Sequence, residues 1–248
     1  MDDSHFYSGK RRNLQTLVRN SIRITLDTND FNTIKTTLHG ESQTTSANLA
    51  FIKKAMFVVQ NFYQTRLKVS TISRVFAPST CADFNPSSND VSNGISNSDL
   101  HIYVRYITDR TLPYGATGVS CKYITSRTLP DATFQQGRPT VGRIVFDTYN
   151  IIDGQTSLTN RLFSSICATA LHETMHILGF DSTLYSTYLD STNVTNIGNR
   201  YQGAIVTSFN LHSNRTGGNN SILTTPYVTS WAQTFFNCTS IPGMALEN

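Results

Sequence analysis

Between residues 46 and 67 the apolar side chains fall at Leu49, Ile52, Met56, Val59, Phe62 and Tyr63. Steps of three and four residues place them along one face of a helix, so the segment is predicted to be a long amphipathic helix packed on a sheet. Alternating or β-branched runs predict strands at residues 21–28 (SIRITLDT), 68–75 (KVSTISRV), 99–107 (DLHIYVRYI), 116–124 (ATGVSCKYI) and 142–148 (GRIVFDT). The stretch CADFNPSSNDVSNGISNS, rich in Asn, Ser, Pro and Gly, is predicted to be a loop. A second long helix is predicted from about residue 159 to 178. The order strand, helix, strands, helix predicts an α+β fold, a mixed twisted sheet of about five strands carrying two long helices. Beyond Phe180 the chain turns polar and weakly periodic, which predicts an irregular C-terminal part. The expected division is residues 1–182 for the sheet-and-helix domain and 183–248 for an insertion or second subdomain.

The second helix contains ALHETMHILGF, residues 170–180. His172 and His176 are four residues apart, so a helix puts both imidazoles on one face, about one turn apart. Both can reach one metal ion. Glu173 is one step round the helix and projects beside such an ion, where its carboxylate can take a proton from a metal-activated water. Gly179 falls at the natural end of the helix, where a left-handed glycine turns the chain away. Histidine pairs of this kind hold Zn2+, and a catalytic zinc has three protein ligands, of which this segment supplies two.

Composition narrows the classes. Charged residues are only 15% of the 248 and the formal net charge is +4, so the isolated basic run Lys10-Arg11-Arg12 reads as a solvated face and no nucleic-acid partner is expected. No stretch has the roughly 20 apolar residues of a membrane span, and the polar start MDDSHFYSGKRRN has no apolar signal core. Sequons at Asn193, Asn214, Asn219 and Asn237 nevertheless fit an extracellular or cell-surface protein. Of the four cysteines, none forms a C-x-x-C pair, so a structural zinc knot is not expected. Cys167 lies within an apolar helix pattern and is expected to be a buried thiol.

The segment HETMHILGF resembles the zinc motif of the leishmanolysin family of metalloendopeptidases. SNSDLHIYVRY and LPYGATGVSCKY resemble two strands that precede that motif, GRPTVGRIVFDT resembles the family's G-R-P-x-x-G-x-I strand, and TPYVTSWAQTFFNCTSIPGMALEN resembles the segment shortly before its third histidine. The resemblance implies a metzincin-like zincin domain that hydrolyses peptide bonds in proteins with Zn2+ as cofactor. It assigns His172 and His176 as metal ligands and Glu173 as the catalytic base. It implies protein or peptide substrates and a cell-surface association. It also pairs Cys81 with Cys121 and leaves Cys238 unpaired within this chain.

The third ligand is the open point. In most metzincins it follows the glycine by three residues, a position held here by Ser182, with Asp181 out of register. The resemblance instead implies a third histidine after an insertion, past Asn248, and so weak zinc binding and poor hydrolysis by the 248 residues alone. Inside the chain the rivals are His212, in a polar loop where a lone histidine is usually solvated, and Glu247, the penultimate residue. His5, His39 and His101 precede the motif and read as structural or exposed. The competing function is a surface or adhesion module that keeps the fold without turnover, separable by the presence of a third histidine and by zinc content.

Overall fold

The computed structural model describes residues 19–41, 44–124, 137–152, 158–181, 205–208 and 220–245. The chain begins with β1 (Asn20–Ser21) and β2 (Ile24–Asp27), followed by helix α1 (Ser46–Arg66). The Thr45 hydroxyl accepts from the Asn48 amide at 3.1 Å and caps α1 just before the first position of the apolar stripe, Leu49. Short strands β3 (Lys68–Val69) and β4 (Arg74–Val75), helix α2 (Ser88–Ser92) and β5 (Ile95–Ser96) form an excursion. Three long strands follow, β6 (Leu100–Ile107), β7 (Ala116–Tyr123) and β8 (Pro139–Asp147), then α3 (Thr148–Ile152) and α4 (Asn160–Leu178). The C-terminal elements are β9 (Ile205–Ser208), β10 (Asn220–Leu223), α5 (Pro226–Phe235) and β11 (Met244–Ala245), whose strands pair in the order β11-β10-β9.

The central sheet has the order β2-β6-β8-β7. β2, β6 and β8 are parallel neighbours, and β7 is an antiparallel edge strand beside β8. The mixed α+β architecture and both long helices agree with the sequence pattern. One expected strand does not join the sheet. Residues 68–75 divide into β3, paired with β1, and β4, paired with β5. The cause lies between them: the Ile72 amide donates to Asp99 Oδ1 at 2.8 Å and its carbonyl accepts from Arg23 at 2.5 Å. Side chains thus satisfy the backbone groups that a ladder would have used.

β8 is buried along its whole length, as the middle of a sheet covered on both faces must be. On one face Leu100, Ile102, Val104, Ile144 and Phe146 pack against Ile52, Met56 and Val59 of α1 and Ile166, Ala170 and Ile177 of α4. On the other, Tyr103 and Val141 pack against Val75 and Ala77 of the excursion. Arg23 and Asp99 hold this second layer in place through a 2.8 Å ion pair. Burial alone would push the Asp99 carboxyl up. Hydrogen bonds from the Arg23 side chain and the Ile72 and Arg23 amides outweigh it and hold the group below the usual carboxylate range.

The Cys81–Cys121 disulfide is present, with α carbons 5.1 Å apart, and ties the excursion to β7. Cys238 is unpaired among the described residues. Cys167 is half-buried rather than buried, because its position falls at the margin of the apolar stripe of α4, and burial pushes its thiol up. Replacing Cys81 and Cys121 together with serine should lower the unfolding free energy by about 2–4 kcal/mol, since the bond closes a separation of 40 residues. Urea unfolding measures this, and an unchanged midpoint with an unchanged slope would contradict it.

Candidate metal centre

Helix α4 starts at Thr159, whose hydroxyl accepts from the Leu162 amide at 3.2 Å, and it lies directly on β7 and β8. Two glycines make that approach possible. A β carbon on Gly118 of β7 would stand 2.2 Å from the Glu173 carbonyl oxygen, and one on Gly142 of β8 would stand 2.5 Å from the Ile177 side chain. Between them, the Ser120 hydroxyl donates to the Ile177 carbonyl at 2.6 Å. That bond satisfies one of the carbonyls a helix leaves open at its C-terminus. From the other side, the Tyr63 hydroxyl of α1 donates to the Leu171 carbonyl at 3.1 Å. Burial pushes the Tyr63 phenol up to about 12, so it remains a donor at any ordinary pH.

So held, α4 buries Glu173, Thr174 and Ile177 while His172 stays exposed and His176 half-buried. The two imidazoles stand 4.7 Å apart between centroids and are nearly perpendicular. Their Nε2 atoms are 3.0 Å apart. Two nitrogens bound to one tetrahedral zinc, each at about 2.0–2.1 Å, lie only slightly farther apart than this. The pair therefore fits a shared ion.

The end of the helix orients one of the rings. Gly179 takes φ 121°, a left-handed conformation that glycine adopts without strain. Its amide donates to the His176 carbonyl at 3.1 Å, and the Phe180 amide donates to the Met175 carbonyl at 3.0 Å, the paired bonds of a Schellman turn. The turn brings the Phe180 carbonyl back to 2.7 Å from His176 Nδ1. A carbonyl only accepts, so Nδ1 carries the proton and Nε2 presents its lone pair toward His172. This outer contact is the kind that fixes the tautomer of a metal-ligating histidine.

Of the residues singled out by sequence, His172, Glu173, His176 and Gly179 come together on one helix turn and its cap. Asp181 follows that cap, its amide donating to the Gly179 carbonyl at 2.8 Å. Among the described residues no third His, Cys, Asp or Glu ligand atom groups with the two imidazoles. Ser182, His212 and Glu247 lie outside the described residues, as does His5. His39 is exposed and 3.5 Å from Asp109, whereas His101 is buried in the sheet. The sequence reading did not single out Gly118, Ser120, Gly142 or the Phe180 carbonyl. A usable signal was present for the two glycines, since a glycine inside a strand often marks a close backbone approach.

Gly118→Ala is expected to force α4 and β7 apart, because the obstructing atom is backbone and cannot rotate away. The expected cost is about 1–3 kcal/mol, with zinc affinity reduced as the imidazoles move. Ser120→Ala, which removes one hydrogen bond, should cost only about 0.5–1.5 kcal/mol. Chemical unfolding and zinc titration of both variants make the check, and a Gly118→Ala protein as stable as wild type would contradict the close-packing account.

Comparison with known families matches the chain to the leishmanolysin family model over residues 46–248. A comparison with curated proteins gave no match. The matched span takes in α1, the three long strands, the histidine pair and the C-terminal elements, and on that extent the chain belongs to the leishmanolysin family of metallopeptidases.

Proposed function

We propose that this chain is a zinc-dependent endopeptidase acting on proteins or peptides, with His172 and His176 as metal ligands and Glu173 as general base. The observation that carries the reading is the pair of Nε2 atoms 3.0 Å apart, one of them held in its tautomer by the Phe180 carbonyl. When bound, zinc acidifies a water and polarises a carbonyl, which is the chemistry peptide hydrolysis needs. The chain's own residues do the rest. The imidazoles supply two neutral nitrogens from one rigid helix, and Glu173, on the same turn, takes the proton from the attacking water and passes it to the leaving amine. β7 is the antiparallel edge strand beside this helix, and its position suits an extended substrate backbone added as a further strand. The family membership supports the reaction class, and the Cys81–Cys121 bond fits an oxidising, extracellular or cell-surface setting. For a third ligand within this sequence, His212 is the residue to replace first.

Glu173→Gln keeps size and hydrogen bonding but cannot accept the proton. In a full-length version of the protein, hydrolysis of an unfolded protein substrate should fall by about 10²–10⁴-fold while zinc per molecule is unchanged. His172→Ala and His176→Ala should each lose the zinc held by the histidine pair. Near-normal turnover by Glu173→Gln, or full zinc content without either histidine, would overturn the assignment.

A further inference from the structure

The face of the sheet away from α4 carries a group of side chains that peptide hydrolysis does not use. In the parallel pairing of β2 and β6, Thr25 is opposite His101 and Asp27 is opposite Tyr103. Asp90, on α2 of the excursion, joins them. One ligand atom from each of Asp27, Asp90 and His101 lies within 4.8 Å of the other two. Ligands sharing one ion, each about 2.0–2.4 Å from it, are separated by no more than about 4–5 Å.

Hydrogen bonding within the protein does not account for the group. His101 is 7% exposed, and its Nε2 is buried with no hydrogen-bond partner among the described residues. Leaving such an atom unsatisfied is unfavourable, and two carboxylates this close repel each other. A cation between them removes both penalties.

The surroundings resemble those that orient metal ligands. His101 Nδ1 is 2.7 Å from Thr25 Oγ1, which is 2.8 Å from Ser98 Oγ. That bond fixes the ring and leaves Nε2 as the nitrogen available to an ion. The Tyr103 hydroxyl donates to Asp90 Oδ2 at 3.0 Å, and the Asn29 amide donates to Asp27 Oδ1 at 2.8 Å. Each carboxylate is held through one oxygen and retains the other. Burial lowers the His101 pKa against the opposing pull of Asp27 and Asp90, which favours the neutral, ligating form of the ring.

We infer that Asp27, Asp90 and His101 form a second, structural metal site that takes a divalent ion of the Zn2+ or Mn2+ class and fastens α2 of the excursion to β2 and β6. Two carboxylate oxygens and one imidazole nitrogen select these ions over Ca2+ and Mg2+, which prefer all-oxygen shells. The remaining coordination positions go to water on the half-exposed side of Asp27 and Asp90.

The test uses the full 248-residue chain carrying His172→Ala and His176→Ala together, stripped with chelator and titrated separately with Zn2+ and Mn2+ by calorimetry. One ion per chain is expected for at least one of the two metals, with a metal-dependent rise in Tm. Adding Asp90→Asn or Asp27→Asn should weaken binding about tenfold or more and abolish the rise in Tm, with circular dichroism unchanged. His101→Gln alters a buried residue, so the half-buried Asp90 decides the outcome if that variant does not fold. No binding of either metal by the double-histidine variant, or equal affinity after Asp90→Asn and Asp27→Asn, would overturn the inference.

Discussion

The geometry of the candidate centre depends on how closely α4 lies against the sheet. At Gly118 the strand meets the helix backbone at Glu173, and at Gly142 it meets the Ile177 side chain, each at a distance that leaves no room for a β carbon. The Ser120 hydroxyl then bonds the Ile177 carbonyl in the gap that remains. These contacts fix the height, rotation and axial position of the helix together. His172 and His176 therefore stand at a set distance from edge strand β7, and Glu173 is buried against the strand rather than turned to solvent. A helix carried one side-chain layer higher would keep its histidine pair and lose its relation to the strand. Dense packing makes such a relation stiff, because neither surface can yield without opening a void.

The turn after the helix has a second consequence. Gly179 ends α4 by entering a left-handed conformation, and that same turn delivers the Phe180 carbonyl to His176 Nδ1. Chain reversal and ring orientation thus arise from one backbone feature. The neighbouring His172 needs no such turn to reach the same point, because four-residue spacing on a helix already brings its Nε2 to 3.0 Å from that of His176.

The opposite face of the sheet is fastened by other means. The excursion between β3 and β6 shares only a small apolar cluster with the sheet, around Tyr103 and Val141. Polar and covalent ties compensate. Arg23 and Asp99 capture the Ile72 backbone, Asp83 pairs with Arg143 of β8, and the Cys81–Cys121 bond joins the excursion to β7. Each tie meets the sheet at a different strand, so together they limit both sliding and lifting of the layer. A cation held by Asp27, Asp90 and His101 would add a further tie to β2 and β6.

Local patterns in the chain determined much of this. The apolar steps of α1, the β-branched and aromatic residues of β8 and the cap residues Thr45 and Thr159 are one-dimensional signals, because helix and strand patterns depend only on neighbours along the chain. The histidine pair, its glutamate and the terminating glycine were legible for the same reason, since one helix turn carries them all. Residues 68–75 show the limit. Their alternation predicts a strand, but Asp99 and Arg23, distant in sequence, claim the Ile72 backbone and divide it. The roles of Gly118 and Gly142, the burial of His101 and its meeting with Asp27 and Asp90 were likewise decided only in three dimensions. Each depends on which surfaces the fold presses together, and no periodicity along the chain records a contact between segments tens of residues apart.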